Sequence, residues 1–416
     1  RPDRFESASN DWTPHLRAFR AMPGTKRVSY VNLALIGFGG VARQFVELLG
    51  EQRQVLKTRH GLYWKIVGIA TATRGTALAP AGVDTEQALE LGSSASVGSL
   101  HDPSEGTPPR DTHELLDRLA HQHVGHEQLV VVENTPLGLK SGLPGVDHAR
   151  LALQMGADVI TANKGPVAFA YRELQDRATA KGVSFLFEGT VLDGLPVFSF
   201  MRESFPAVKV RSFRGIVNTT TNYLLSAMEE GRLLDEALTE MQAAGISEAD
   251  STTDVDGWDA AAKAAILANV LMGEEITPHE VERVSLRSVT LSGVQKARGR
   301  GRRLKLVASA CWRNGRVVVS AKPEELATDD PLALLSGTAS GLVLDTDQLG
   351  EIWLSKPVGC VAHTAYGLLT DLITAHKRRQ NIEAALGAAG LRFLKGDSAH
   401  ETLCGPSTEE GRRNKL

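Results

Sequence analysis

Five carboxylates and a lysine crowd into one stretch of the chain: Glu248, Asp250, Asp254, Asp256, Asp259 and then Lys263. Asp259 and Lys263 are four residues apart, so a helix places them on one face. Most of the rest of that helix is Ala, Ile, Leu and Val, a composition that predicts burial around much of its circumference. An unpaired buried ammonium is strongly destabilising, so such a lysine must be paired or functional. Buried lysines shift their pKa readily and then give or take protons. The plainer alternative is an exposed i,i+4 ion pair, worth ~0.3–0.5 kcal/mol. Asp256 is placed to cap the helix, with Gly257 permitting a sharp entry. A calcium loop is excluded, because counting from Asp254 the sixth position is Asp259 rather than Gly and the twelfth is Ala265 rather than Glu.

A second constellation lies near the start. The apolar run Val31–Ile36 leads into Gly37, Phe38, Gly39, Gly40, Val41 and Ala42, followed by a helical pattern. This is G-x-G-x-x-G/A in a strand–turn–helix setting. The first glycine allows the turn, the second lets the backbone approach a pyrophosphate, and the small Ala42 lets helix and strand pack closely. An ordinary glycine-rich turn without ligand is the alternative. The next strand ends Ala70-Thr-Ala-Thr-Arg74 with no acidic residue. An acid there would favour a free ribose 2′-hydroxyl, whereas Arg74 suits a 2′-phosphate. The cofactor expectation is NADP(H), with NAD(H) as the alternative and a solvated loop as the other reading of Arg74.

These residues need a scaffold. At 416 residues the chain exceeds the ~150 residues of one typical domain. Strands at Val31–Ile36, Lys65–Ala70, Leu129–Val132 and Asp158–Thr161 alternate with helices near 41–49, 115–121 and 145–155, which predicts a parallel sheet. Residues 75–110, rich in Gly, Ser, Pro and Thr, read as a loop-bearing insertion. Further on, Val183–Glu188 and Val208–Val217 read as strands, and 221–230, 234–244 and 259–272 as helices. Arg303–Ala310 and Arg316–Ala321 read as a hairpin turning at Asn314-Gly315. Residues 338–355 add two strands and Ala365–His376 a helix. The fold class is α/β: an N-terminal Rossmann dinucleotide-binding domain over 29–165, and an α+β catalytic and dimerisation domain with a mixed sheet over 166–355. A C-terminal helix at 356–385 returns to the first domain. Segment 1–28 is an N-terminal extension, and 386–416 is a tail expected to be disordered.

Composition narrows the function. With 46 basic and 49 acidic side chains the net charge is -3, which argues against bulk nucleic-acid or membrane-surface binding. The basic stretch Lys296–Lys305 lacks interleaved aromatics and reads as a solvated linker. His121, His123 and His126 lack a metal-ligand pattern and read as a polar helix end. Cys311, Cys360 and Cys404 are too scattered for a disulfide framework or zinc site. No apolar run long enough to span a membrane is present. A cytoplasmic setting is expected, with organelle targeting by the Arg- and Ser-containing start as the alternative.

Taken in order, the motifs resemble the homoserine dehydrogenase family over roughly residues 30–375: Gly37–Ala42; Thr161-Ala-Asn-Lys-Gly-Pro166; Phe187-Glu-Gly-Thr-Val191; Gly215-Ile-Val-Asn-Thr-Thr-Thr-Asn-Tyr223; and Gly245-Ile-Ser-Glu-Ala-Asp250 through Lys263. The resemblance implies interconversion of homoserine and aspartate 4-semialdehyde with a nicotinamide cofactor. It implies Lys263 as the acid/base, Asp259 as its partner carboxylate and Lys164 as a second active-site lysine. Glu248 and Asp254 would bind the substrate's amino end, with Thr220 lining the pocket. Thr135, Lys164 and Gly359 would meet the cofactor. A monovalent cation such as Na+ would sit at Glu188, Val191, Asp193 and Leu195, mostly on backbone oxygens, and the chain would form a homodimer through the second domain. Two neighbouring ammonium groups depress each other's pKa, which would bring Lys263 toward neutrality.

The sequence departs from the family around the substrate. The usual Val-Gly-Gly-Gly is Val191-Leu-Asp-Gly194, and Asn-Gly-Thr-Thr-Asn-Tyr is Asn218-Thr-Thr-Thr-Asn-Tyr223. The Gly-Tyr before Glu248 is Gly245-Ile246, and the late glycine-rich loop is Pro357-Val-Gly-Cys360. These changes favour keeping two alternatives: action on another small hydroxy amino acid, or a non-catalytic nucleotide sensor. The stretch after residue 376 is short for an added regulatory domain, so neither that nor a fused kinase is expected.

Overall fold

The computed structural model describes residues 30–90, 96–122, 127–243 and 251–396. The first half builds on β1 (Tyr30–Ile36), α1 (Gly40–Glu51), α2 (Arg53–His60), β2 (Tyr63–Ala70), β3 (Thr76–Leu78), α3 (Thr85–Glu90), α4 (Thr112–Gln122), β4 (Gln128–Glu133), α5 (Gly145–Gln154), β5 (Asp158–Thr161), α6 (Lys164–Lys181) and β6 (Phe185–Leu186). Its six strands run in the order β3-β2-β1-β4-β5-β6, parallel except for the edge pair β2–β3. Val31, Leu33 and Leu35 feed the core on one face and Ala34 and Ile36 that on the other, as a sheet covered on both sides requires. Parallel strands bring all their C-terminal ends to one edge, where crevices for ligands form.

Four expectations change here. The 75–110 segment is not all loop: β3 and α3 lie within it, because Thr76–Leu78 is a fully buried edge pairing. The strand expected over 183–188 shrinks to β6, which pairs with β5, so the first sheet extends past residue 165. Helix α6 has no clear sequence signal. It opens Gly-Pro, it kinks at Ala170, and it packs against both α5 and the later buried helix, which blurs any one-sided apolar stripe. The sequence likewise carries no signal for the short helix α7 (Val197–Ser204).

The second half continues with β7 (Val210–Ile216), α8 (Thr219–Glu229), α9 (Leu234–Ala243), α10 (Thr252–Val255), α11 (Trp258–Met272), β8 (Glu282–Arg283), α12 (Leu291–Gly299), β9 (Arg302–Arg313), β10 (Arg316–Ala327), β11 (Ser340–Thr346), β12 (Gly350–Lys356) and α13 (Val361–Gly396). Its sheet, ordered β12-β11-β7-β9-β10-β8, is mixed, since only β8–β10 is parallel. Asn314 and Gly315 both have positive φ, 50° and 78°, as the tight hairpin predicts.

Helix α11 is buried along Asp259–Asn269. Its alanines make a thin rod that fits between the second sheet and α6. Gly257, at φ 79°, takes the left-handed turn into it. Asp256 is not the cap; its carboxylate instead accepts from Ser285 Oγ at 3.2 Å and Arg287 Nε at 3.1 Å. The basic 296–305 stretch is not a linker either. It completes α12 and enters β9, with Arg298 and Arg303 bound to Glu229 and Lys305 fully buried. Helix α13 is far longer than the 365–376 expected and continues beyond residue 385, because its Leu368, Leu369 and Leu372 enter the first domain's core beside α1. Among the described residues no helix is long and apolar enough to cross a membrane.

Candidate active site

At the first sheet's C-terminal edge, Gly37 has φ 89° and its N–H donates to Ala70 O at 2.8 Å. A Cβ there would lie 2.7 Å from Asn134 O, so angle and space both require glycine. Gly37→Ala should therefore displace the turn, weakening dinucleotide binding by about tenfold or more in a fluorescence titration and lowering the melting temperature. Unchanged affinity would disprove the role given to this turn. A Cβ on Gly39 or Gly40 would meet nothing within 4 Å, which leaves the turn open to a pyrophosphate. Val41 lines the adjoining cleft, and Ala42 is fully buried against the sheet. Phe38 is buried in the core, so only its main chain is left to meet a ligand. Arg74 sits in the turn after β2, where its N–H donates to Thr71 Oγ1 at 2.9 Å.

Beyond β4, the buried Glu133 carboxylate accepts from the Thr135 hydroxyl and from Thr135 N at 3.2 Å. Asn163 joins this network. Its Nδ2 donates to Thr135 Oγ1 at 3.2 Å, and its Oδ1 caps α6 by accepting from Gly165 N at 2.8 Å. The first residue of α6 is Lys164, so one polar network fixes both the Thr135 loop and the root of that lysine.

Lys164 then meets α11. Its Nζ is 3.1 Å from Asp259 Oδ1, and Lys263 Nζ is 3.1 Å from Asp259 Oδ2. Lys263 also donates to Val217 O at 2.7 Å. Asn218 donates through Nδ2 to both Asp259 Oδ2 and Asp254 Oδ1, each at 2.8 Å. Its Oδ1 caps α8 by accepting from Thr221 N. Burial alone would raise the Asp259 carboxyl, but the two lysines outweigh it and hold the group well below the usual carboxylate range. The Asp259 charge raises Lys164 against the opposing pull of burial. Mutual depression of the lysines therefore does not describe Lys164, because a carboxylate lies between the two ammonium groups. Asp254 goes the other way, raised by burial and then by the neighbouring Asp259 charge.

Val41, Thr135, Lys164, Thr220, Asp254, Asp259 and Lys263 line one cleft of about 440 Å³, so the start of α1 just after the glycine turn borders the same space as the charge cluster. Asn218 lines it too; its cap position in the sequence disguised this second contact. Glu248 lies outside the described residues, as do Gly245, Ile246, His123, His126 and Cys404. Gly359 stands beside Thr219, which lines the cleft; a Cβ on it would fall 2.5 Å from Asp193 Oδ2 and 2.7 Å from Thr219 Cγ2. Among the described residues no group of three His, Cys, Asp or Glu side chains could hold a metal ion.

A Rossmann-ordered sheet that turns its glycine loop toward a lysine–carboxylate cluster belongs with the dinucleotide-dependent oxidoreductases, which couple hydride transfer to proton transfer. The family described as homoserine dehydrogenase matches residues 196–373, and its NAD binding domain matches 37–188. An NAD(+)-dependent homoserine dehydrogenase of Pseudomonas canavaninivorans is 34% identical over 83% of this chain and 96% of its own. The homoserine dehydrogenase structure from Thermoplasma acidophilum has a TM-score of 0.68 at 25% identity, covering 84% of this chain and 99% of that one. A hyperthermophilic archaeal homoserine dehydrogenase in complex with NADPH has a TM-score of 0.65 at 31% identity, covering 83% and 97%. The chain belongs to the homoserine dehydrogenase family.

Proposed function

We propose that this chain interconverts L-homoserine and L-aspartate 4-semialdehyde, with Lys263 moving the proton. The observation that carries the reading is the Lys164–Asp259–Lys263 cluster in the same cleft as Val41, which follows the glycine turn. A bound nicotinamide dinucleotide supplies the hydride acceptor or donor. In the reducing direction the Lys263 ammonium gives its proton to the carbonyl oxygen as that oxygen gains charge; in the oxidising direction the neutral amine takes the hydroxyl proton. Asp259 orients both lysines, and Lys164, held in its charged form, steadies negative charge on substrate or intermediate. Asp254 and Glu248 receive the substrate's amino end, and Thr220 lines the same pocket. The glycine turn, Arg74, Thr135 and Gly359 border the dinucleotide.

Arg74 favours NADP(H). The relatives support either choice, since one is named for NAD(+) and another was solved with NADPH. A homodimer formed through the second domain, in the cytoplasm, completes the reading. The test is a matrix of homoserine and other small hydroxy amino acids against NAD+ and NADP+, followed by near-ultraviolet absorbance. Turnover should be greatest with homoserine and NADP+. Turnover on another hydroxy amino acid alone would move the substrate, and dinucleotide binding without any turnover would make the chain a sensor.

A further inference from the structure

Segment 191–195 is one of the places where this chain departs from its family, and Asp193 lies beside Gly359 and Thr219, the latter a residue that lines the cleft. The resemblance assigns a monovalent cation here, on Glu188, Val191, Asp193 and Leu195, mostly through backbone oxygens, yet the Glu188 carboxylate and the carbonyls of Asp193 and Leu195 already have partners. Both Glu188 carboxylate oxygens cap α7, accepting from Phe198 N at 2.9 Å and Ser199 N at 2.8 Å. Leu195 O accepts from Val197 N at 2.8 Å. Asp193 O accepts from Lys356 Nζ at 2.8 Å, and the same ammonium lies 3.4 Å from Leu192 O and 3.9 Å from Asp193 Oδ2. The Asp193 carbonyl does not suit a metal ion, because it already accepts from the Lys356 ammonium and a second cation beside that charge would be repelled. Lysine suits the place: its ammonium is a compact point charge, its donors match carbonyl oxygens, and its stem reaches in from the end of β12.

We propose that the Lys356 ammonium is a built-in loop cation that positions the 192–193 segment in place of an alkali metal ion, so that the cleft works without one. The proposal rests on reading this cleft as the homoserine site. Asp193, held this way at φ 47°, stays close enough to the charge cluster to act electrostatically on Lys164. Lys356 is a positioning residue that holds the loop, and its charge is also near enough to interact with that of Lys263.

The test measures homoserine oxidation by the full chain at constant ionic strength in NaCl, KCl or tetramethylammonium chloride, with 23Na line broadening as a readout independent of activity. The wild type should change by less than about twofold among the salts and show no specific sodium broadening. Lys356→Met should raise KM for homoserine about tenfold with dinucleotide affinity kept, and sodium, potassium or methylammonium ions should restore part of the loss. Lys356→Arg, which keeps the charge, should remain indifferent to the salt and covers the case in which the methionine variant fails to fold. A wild type that loses tenfold activity without alkali ions, a wild type that binds sodium specifically, or a Lys356→Met protein with unchanged KM and no salt response would each overturn the proposal. A wild type inactive on homoserine in every salt would overturn the functional reading instead, and the sodium measurement would still decide this one.

Discussion

Lys263→Ala should lower kcat for homoserine oxidation by about 10³-fold while the chain still folds and binds its dinucleotide. The residue is only 7% exposed, and its ammonium has two fixed partners, Val217 O and Asp259. Alanine removes the proton carrier yet leaves Asp259 paired with Lys164 and Asn218, so a folded protein is expected. The harder question is whether lysine serves chemistry or only charge balance, and Lys263→Arg separates the two. Arginine keeps the positive charge beside Asp259 but cannot be deprotonated in proteins, so it cannot accept the hydroxyl proton. If the role is proton transfer, arginine should fail almost as badly as alanine, with dinucleotide affinity and melting temperature near wild type. An arginine variant that recovers most of the turnover would leave Lys263 a structural charge.

The legibility of these parts in the sequence follows their range. Gly37–Ala42 and the alternating strands are local patterns, and the first domain follows from them. The pair Asp259–Lys263 was legible because four residues on an apolar helix force a shared face. Lys164 was not legible from its neighbours; it could be placed beside Asp259 only through the family's motif order, since two distant elements, α6 and α11, must pack to bring it there. Asn218 and Lys356 were missed for one reason. Each occupies a position with an ordinary local explanation, a helix cap and a strand end, and the second partner comes from far along the chain. Helices α6 and α12 were hidden differently, by a Gly-Pro opening and by a run of charge. The sign of the Lys164 shift also depended on packing, since it turns on which charge stands nearest.

The second large effect is expected at Asp259. Asp259→Asn keeps the shape and leaves an oxygen for Asn218 but removes the one charge shared by two lysines. Breaking a buried ion pair from one side costs about 3–5 kcal/mol, and turnover should also fall because Lys263 loses its orienting partner. In the wild type, the Asp259 carboxyl is depressed and Lys164 raised. The Asp259 contribution is thus present above the unfolded carboxyl value of about 4 and lost only as pH falls through the lower folded one; that of Lys164 is present below about 10.4 and lost as pH rises through its higher folded one. Between those limits the cluster adds stability that hardly varies with pH. In Asp259→Asn the largest cause raising Lys164 is gone and burial pulls it down, so the folded variant binds fewer protons than its unfolded chain as the solution becomes alkaline. Its stability must then rise with pH. Denaturant unfolding at pH 7 and pH 10 should show a deficit that is large at the first and smaller at the second. A deficit below about 1 kcal/mol at pH 7, or one that widens with pH, would mean that Asp259 does not hold the two ammonium groups together.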